Sequence, residues 1–213
     1  MTKQQRANLT LKRLNRKYAK YPQTGLVGWK KPWQLLFCII MSAQTTDDQV
    51  NKVAKTLFKK FKSLEDFANT TITSIGKAIK STGFYNSKSK YLQNSARMIL
   101  TEFKSKTPKT INYLIKLPGV ARKTANVYQQ VMYNKSEGIA VDTHVGRMSQ
   151  RLELTKEKSA VKIEKDLMKL FPKSKYHRIN PVLFWHGRTI CLAKKPQCEK
   201  CELNDFCPSA FKS

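Results

Sequence analysis

The sequence is short of acid. Fourteen Asp and Glu stand against 41 Lys and Arg in 213 residues, giving a formal net charge of +27 and an isoelectric point of about 10.1. A chain this basic repels itself and binds polyanions, so its partner is nucleic acid or an anionic membrane surface. Long apolar runs are also missing. The longest, Trp33 to Ala43, is about half of what a bilayer requires, which excludes a membrane span and reads as a helix buried in a core. The N-terminus lacks the apolar stretch of a signal peptide, which argues against secretion. Its basic start is a feature of mitochondrial presequences, but Leu9, Leu11, Leu14 and Tyr18 fall at roughly helical spacing, more like a docked mature helix. There is no Pro/Ser-rich linker, no low-complexity tail and no internal repeat. What is present is enough for a real core: 40% of the chain is hydrophobic and 10% of the chain is aromatic, which excludes wholesale disorder.

Arginine is scarce as well. Lys outnumbers Arg 32 to 9, a ratio that an AT-rich coding bias explains in part. The distribution says more than the total. The first 46 residues hold nine Lys or Arg and no acid, and residues 103–136 hold seven and no acid. Stretches purged of carboxylate favour a phosphate-facing surface over an ordinary solvated one.

Strand signals are sparse and the dominant period is helical. Apolar residues recur at three and four in Val50, Val53, Leu57 and Phe61, and in Ile163, Leu167, Leu170 and Phe171. Breakers at Pro22, Gly25, Gly28, Pro32, Gly83, Pro108, Pro118–Gly119, Gly138, Pro172, Pro181 and Pro196 cut the chain into about ten short helices. The expectation is an all-α protein.

Five cysteines are present. Cys38 lies in the apolar run and reads as a small buried residue. Cys191, Cys198, Cys201 and Cys207 fall within 17 residues as C-x6-C-x2-C-x5-C. With no export signal, they suggest a metal site rather than disulfides. Structural zinc ordinarily takes two short pairs, and only Cys198 and Cys201 form one. The wider loops suit four thiolates around a [4Fe–4S] cluster, with zinc and unmetallated thiols as the other readings.

Residues 114–127 read as a short helix carrying Leu114, Ile115 and Leu117, a stop at Pro118–Gly119, and a second helix from about Ala121. Two helices on a tight Pro-Gly turn form a helix-hairpin-helix, whose backbone N–H groups and helix N-terminus hold a phosphate without reading sequence. Lys123 falls in the first turn of the second helix. The helix dipole and Arg122 both disfavour a cation there, and a nucleophilic lysine needs the neutral amine. Taken alone, a phosphate-binding lysine is the simpler reading. Further along, Ile-Ala-Val-Asp-Thr-His-Val places Asp142 at a helix N-cap after an apolar segment. An amine and a carboxylate in this setting suit displacement of a base from the C1′ of a sugar.

Together LPGVARKTAN, AVDTHV and the cysteine tail resemble the endonuclease III family, iron–sulfur DNA glycosylase/AP lyases of the helix-hairpin-helix (HhH-GPD) superfamily. Met-Ser-Ala-Gln-Thr-Thr-Asp at 41–47, Gly-Phe-Tyr-Asn-Ser-Lys at 83–88 and His186-Gly187-Arg188 extend the resemblance over residues from about 8 to 208. It implies two all-α lobes with damaged duplex DNA bound across the cleft between them: a six-helix barrel domain at 25–136, and a cluster domain made of 1–24 and 137–213. It implies that Lys123 attacks C1′ and forms a Schiff base, that Asp142 assists and stabilises charge on the sugar, and that β-elimination cuts the strand 3′ to an excised oxidised pyrimidine. Gln44 matches the residue that fills the space of the flipped base, and Phe84 the apolar wedge, unless it folds into the core as a loop residue. Gly119, Val120, Ala121 and Arg122 match the phosphate-gripping hairpin, and Lys194 and Lys195 the cluster-loop contacts. The resemblance also implies that Cys191, Cys198, Cys201 and Cys207 hold the [4Fe–4S] cluster. A monomer in the cytoplasm, on the nucleoid and not on membrane, is expected. The related adenine-mismatch glycosylases typically lack a lysine at position 123 and carry an extra C-terminal domain. A structural hairpin protein would not need Lys123 with Asp142, and an electron carrier would not need the charge. Two positions depart from the pattern: Ala121 stands where a second glycine is frequent, and Gly146 where a bulkier residue is common.

Overall fold

The computed structural model describes residues 1–212; residue 213, the last of the expected cluster domain, lies outside them. The all-α expectation holds: eleven α-helices and three short 3-10 turns account for the regular structure, with no strand among the described residues. The helices are α1 (Lys3–Lys17), α2 (Pro32–Met41), α3 (Asp47–Lys60), α4 (Leu64–Asn69), α5 (Ile72–Ile79), α6 (Tyr85–Thr101), α7 (Ile111–Leu114), α8 (Arg122–Tyr133), α9 (Thr143–Arg151), α10 (Ala160–Leu170) and α11 (Tyr176–Thr189). The chain divides into two compact units, Thr24–Met132, and Met1–Gln23 with Tyr133–Ser213.

The unit Thr24–Met132 is built around α2. Pro32 at its first turn starts the helix with a preset φ and no orphaned N–H. Every residue from Trp33 to Met41 is buried, so the apolar run has no solvent face until Ser42 and Ala43, where it ends half-buried and exposed. Val50, Val53, Ala54 and Leu57 of α3 are buried by their 3–4 spacing. Trp33, Phe37 and Phe67 stack edge to face with centroids 5.0 to 5.7 Å apart. Side-chain caps from Thr46, Ser63 and Thr71 start α3, α4 and α5.

The other unit joins the N-terminal helix to the C-terminal half. Ala7, Leu14 and Tyr18 of the N-terminal segment share a core with Val145, Met148, Ile163, Leu167, Val182 and Leu203, and Cys191, Cys201 and Cys207 pack against it. The docked seam of α1 differs from the one expected. Leu14 and Tyr18 are buried, Leu9 and Leu11 are only half-buried, and Ala7 and Thr10 complete the inner face.

Candidate functional site

The hairpin is shorter on its first side than the sequence implies. Regular α7 ends at Leu114, Ile115 is 47% exposed, and Leu117 is buried in the turn that follows. The Val120 N–H donates to the Leu117 carbonyl at 3.1 Å and the Ala125 N–H to that of Ala121 at 3.0 Å. Gly119 carries φ +79°, the left-handed region that glycine enters without steric cost. A Cβ there would also meet the Tyr91 ring at 2.8 Å. Ala121 is not among the left-handed residues, so alanine is tolerated there at no conformational cost. Val120 is buried and its N–H is used within the turn, so it anchors the hairpin. Gly119, Ala121, Arg122 and Lys123 are exposed. Lys123 is the second residue of α8, with its side chain in solvent at the helix N-terminus.

Two further residues of this unit share an unusual backbone. Gln44, after α2, has φ +55°, and Phe84, before α6, has φ +47°. Left-handed backbone costs a residue with a side chain on the order of 1–2 kcal/mol. Gln44 is exposed, and Phe84 is 65% exposed rather than folded into the core. A large apolar ring held in water by strained backbone gains nothing from its own fold.

In the other unit, Asp142 is the N-cap of α9, as the sequence implies. Its Oδ1 accepts from the His144 and Val145 N–H groups at 2.8 Å each. Its Oδ2 lies 3.5 Å from Nδ2 of Asn180, which donates more closely to the Ala140 carbonyl at 2.9 Å. One carboxylate oxygen therefore serves the helix, and the other stays half-buried and lightly engaged. Asn180 carried no sequence signal, because it lies on α11 and meets Asp142 only through helix packing.

The four sequence-selected cysteines line one pocket, with Arg151, Ile190, Pro196 and Ala210 among its walls. N–H donors aim at the sulfurs. Arg151 Nη1 reaches Cys191 Sγ at 3.2 Å, the Leu203 N–H reaches Cys201 Sγ at 3.4 Å, and the Phe211 N–H reaches Cys198 Sγ at 3.5 Å. His186 Nε2 lies 3.2 Å from Cys201 Sγ, with its Nδ1 3.1 Å from the Tyr18 hydroxyl. Burial, opposed by the Leu203 N–H and reinforced by the neighbouring thiols, pushes Cys201 up to about 11; burial raises Cys207 too. Thiolates so placed need a positive core between them, and bonds from N–H groups to sulfur are what cluster ligands accept. The donor set fits an iron–sulfur cluster.

The loop that carries the cluster is held by two arginines the sequence reading did not single out. Arg147 donates to the carbonyls of Gly187 (2.6 Å) and Cys191 (3.0 Å), and Arg151 to that of Leu192 (2.7 Å). Their spacing of four on α9 was the available signal. Lys194 and Lys195 project into solvent just beyond, Lys195 at φ +52°.

The chain matches the family described as HhH-GPD superfamily base excision DNA repair protein over residues 37–173, and the iron–sulfur binding domain of endonuclease III over residues 191–207. Endonuclease III of Synechocystis sp. is 42% identical to it, over 98% of this chain and 94% of that protein. The Bacillus subtilis protein of the same name is 40% identical, over 83% and 80%. The structure of a trapped endonuclease III–DNA covalent intermediate superposes with a TM-score of 0.91 at 35% identity, covering 100% of this chain and 98% of that one. A thermostable thymine-DNA glycosylase shares the fold, with a TM-score of 0.86 at 22% identity.

Proposed function

This chain belongs to the HhH-GPD superfamily of base excision DNA repair proteins, in its endonuclease III family, and we propose that it removes oxidised pyrimidines from duplex DNA and cuts the strand 3′ to the abasic site. The observation that carries the reading is Lys123, an exposed amine at the second position of α8, directly after the hairpin turn.

The damaged nucleotide must first leave the stack, at a cost of a few kcal/mol. Gln44 fills the gap and Phe84 wedges the neighbouring step. The hairpin, presenting Gly119, Ala121 and Arg122 on the anchor of Val120, holds a phosphate beside the lesion. The neutral Lys123 amine then attacks C1′. The C1′–N bond breaks with its electron pair on the departing base, which takes one proton from the amine; the C1′–O4′ bond then breaks with its pair on O4′, which takes the other, and the opened sugar is left as an imine of Lys123. The second oxygen of Asp142 stabilises positive charge on the sugar and assists the attack. Loss of a proton from C2′ expels the 3′ phosphate, and water hydrolyses the imine to release Lys123. The [4Fe–4S] cluster, when bound, supplies the positive core that gathers Cys191, Cys198, Cys201 and Cys207. Around it, Arg147 and Arg151 fix the loop from which Lys194 and Lys195 meet phosphates.

In this reading residues 25–136 form the DNA-gripping domain, and 1–24 with 137–213 the cluster domain. The protein acts as a monomer in the cytoplasm, on the nucleoid; the +27 charge supports attachment to DNA. The test is borohydride trapping on a duplex carrying an abasic site or an oxidised pyrimidine. Wild-type protein gives a covalent adduct and Lys123→Ala gives none. A wild type without adduct, or a trapped Lys123→Ala, overturns the Schiff-base mechanism.

A further inference from the structure

Lys88 is buried, 3% exposed, and the reaction makes no use of it. Its ammonium has three protons and meets three oxygens: the Met41 carbonyl at 2.7 Å, the Thr45 hydroxyl at 2.8 Å and the Thr82 carbonyl at 2.8 Å. The Thr45 hydroxyl in turn donates to the same Thr82 carbonyl. These acceptors belong to two loops distant in sequence. Met41 and Thr45 bracket the turn that carries Gln44, and Thr82 lies two residues before Phe84. Burying an ammonium is costly, and burial draws Lys88 below the ordinary lysine range. A core methionine would fill similar space without that cost. The burial is explained by what the three bonds join.

We propose that Lys88 is a positioning residue that clamps the Gln44 turn and the Phe84 turn into one rigid DNA-penetrating edge. The inference rests on the reading of Gln44 and Phe84 given above. Both residues sit in left-handed backbone, at φ +55° and +47°. Each turn has its own local bond, from the Thr45 N–H to the Ser42 carbonyl at 3.1 Å and from the Lys88 N–H to the Phe84 carbonyl at 3.0 Å; what the Lys88 ammonium adds is the tie between the two turns, which neither supplies for itself. The bond from Gln49 Nε2 to Ser81 Oγ at 2.7 Å braces the same junction from α3. The ligand served is a duplex with a vacated base position.

The probes are two duplexes, one carrying a tetrahydrofuran abasic analogue and one undamaged. Lys88→Met should weaken binding to the analogue duplex by about 10-fold or more, and to undamaged duplex by about 2-fold or less. Thr45→Val, which removes one arm and spares the lysine, should lose discrimination in the same direction and decides the matter if Lys88→Met does not fold. A folded Lys88→Met or Thr45→Val with wild-type discrimination overturns the clamp. The double variant Gln44→Ala/Phe84→Ala separates positioning from general stability. Adding Lys88→Met to it should cause no further loss of discrimination, whereas a full additional loss overturns the proposal. If Gln44→Ala/Phe84→Ala itself binds both duplexes like wild type, the reading of the two turns fails and the clamp with it. If that variant loses discrimination and Lys88→Met does not, the clamp alone fails.

Discussion

Asp142 has two tasks that substitution can separate. Its Oδ1 caps α9 through two N–H groups, a role asparagine also fills. Asp142→Asn should therefore keep stability within about 0.5 kcal/mol while base excision falls by at least about 100-fold. Asp142→Ala should lose activity and also about 1 kcal/mol of stability, read from the denaturant midpoint. A stable, fully active Asp142→Asn would leave the residue as a cap only. The cap was legible in the order Ala-Val-Asp-Thr-His-Val. The second oxygen's neighbour, Asn180, was not, since 38 positions separate the two and no local pattern joins them. Gly146 is simpler. A Cβ added there would meet only Ile163 Cδ1, at an ordinary 3.6 Å. Gly146→Ala should stabilise the protein by roughly 0.5–1 kcal/mol, through helix propensity and a less flexible unfolded chain.

Among the elements, the hairpin was the most legible, because Pro-Gly between two apolar runs has one local meaning. What was hidden is the contact beneath it. Gly119 must be left-handed and must also clear Tyr91 on α6, 28 residues earlier. Gly119→Ala should cost about 1–3 kcal/mol in stability and depress borohydride trapping, since the turn has to shift. On α9 the cluster loop depends on side chains rather than on the loop's own sequence. Arg151→Met removes donors to Cys191 Sγ and to two backbone carbonyls. Purified Arg151→Met should hold fewer than the about four irons expected per wild-type chain, and should lose its visible absorption faster under chelator. Retention equal to wild type would show that the cysteines suffice.

Over the whole molecule, the all-helical class followed from periodicity and breakers alone, and the grouping of Cys191, Cys198, Cys201 and Cys207 around one pocket from their spacing. Charge was read less completely. The N-terminal stretch is free of acid in sequence but not in space. Arg13 pairs with Asp205 at 2.6 Å and donates to the Glu202 carbonyl, while Lys17 pairs with the Glu202 carboxylate. Those two cations hold α1 to the cluster segment, where linear reading assigned them to phosphate. Enough charge remains for a strong salt response. Between 50 and 200 mM salt, affinity for undamaged duplex should fall by about 1,000-fold or more, as expected for six or more phosphate contacts. A response below about 10-fold would mean that most of the lysines never meet DNA.

The unit that binds the cluster is assembled from both ends of the chain, Met1–Gln23 and Tyr133–Ser213. That has a consequence for the order of events on the ribosome. Helix α1 is made first, yet Leu14 and Tyr18 find their core partners only after residues 145–203 have emerged. At roughly 5–20 residues per second the wait lasts on the order of ten seconds. Until then α1 has no core against which to bury Leu14 and Tyr18, so this unit cannot close before its C-terminal half has been made.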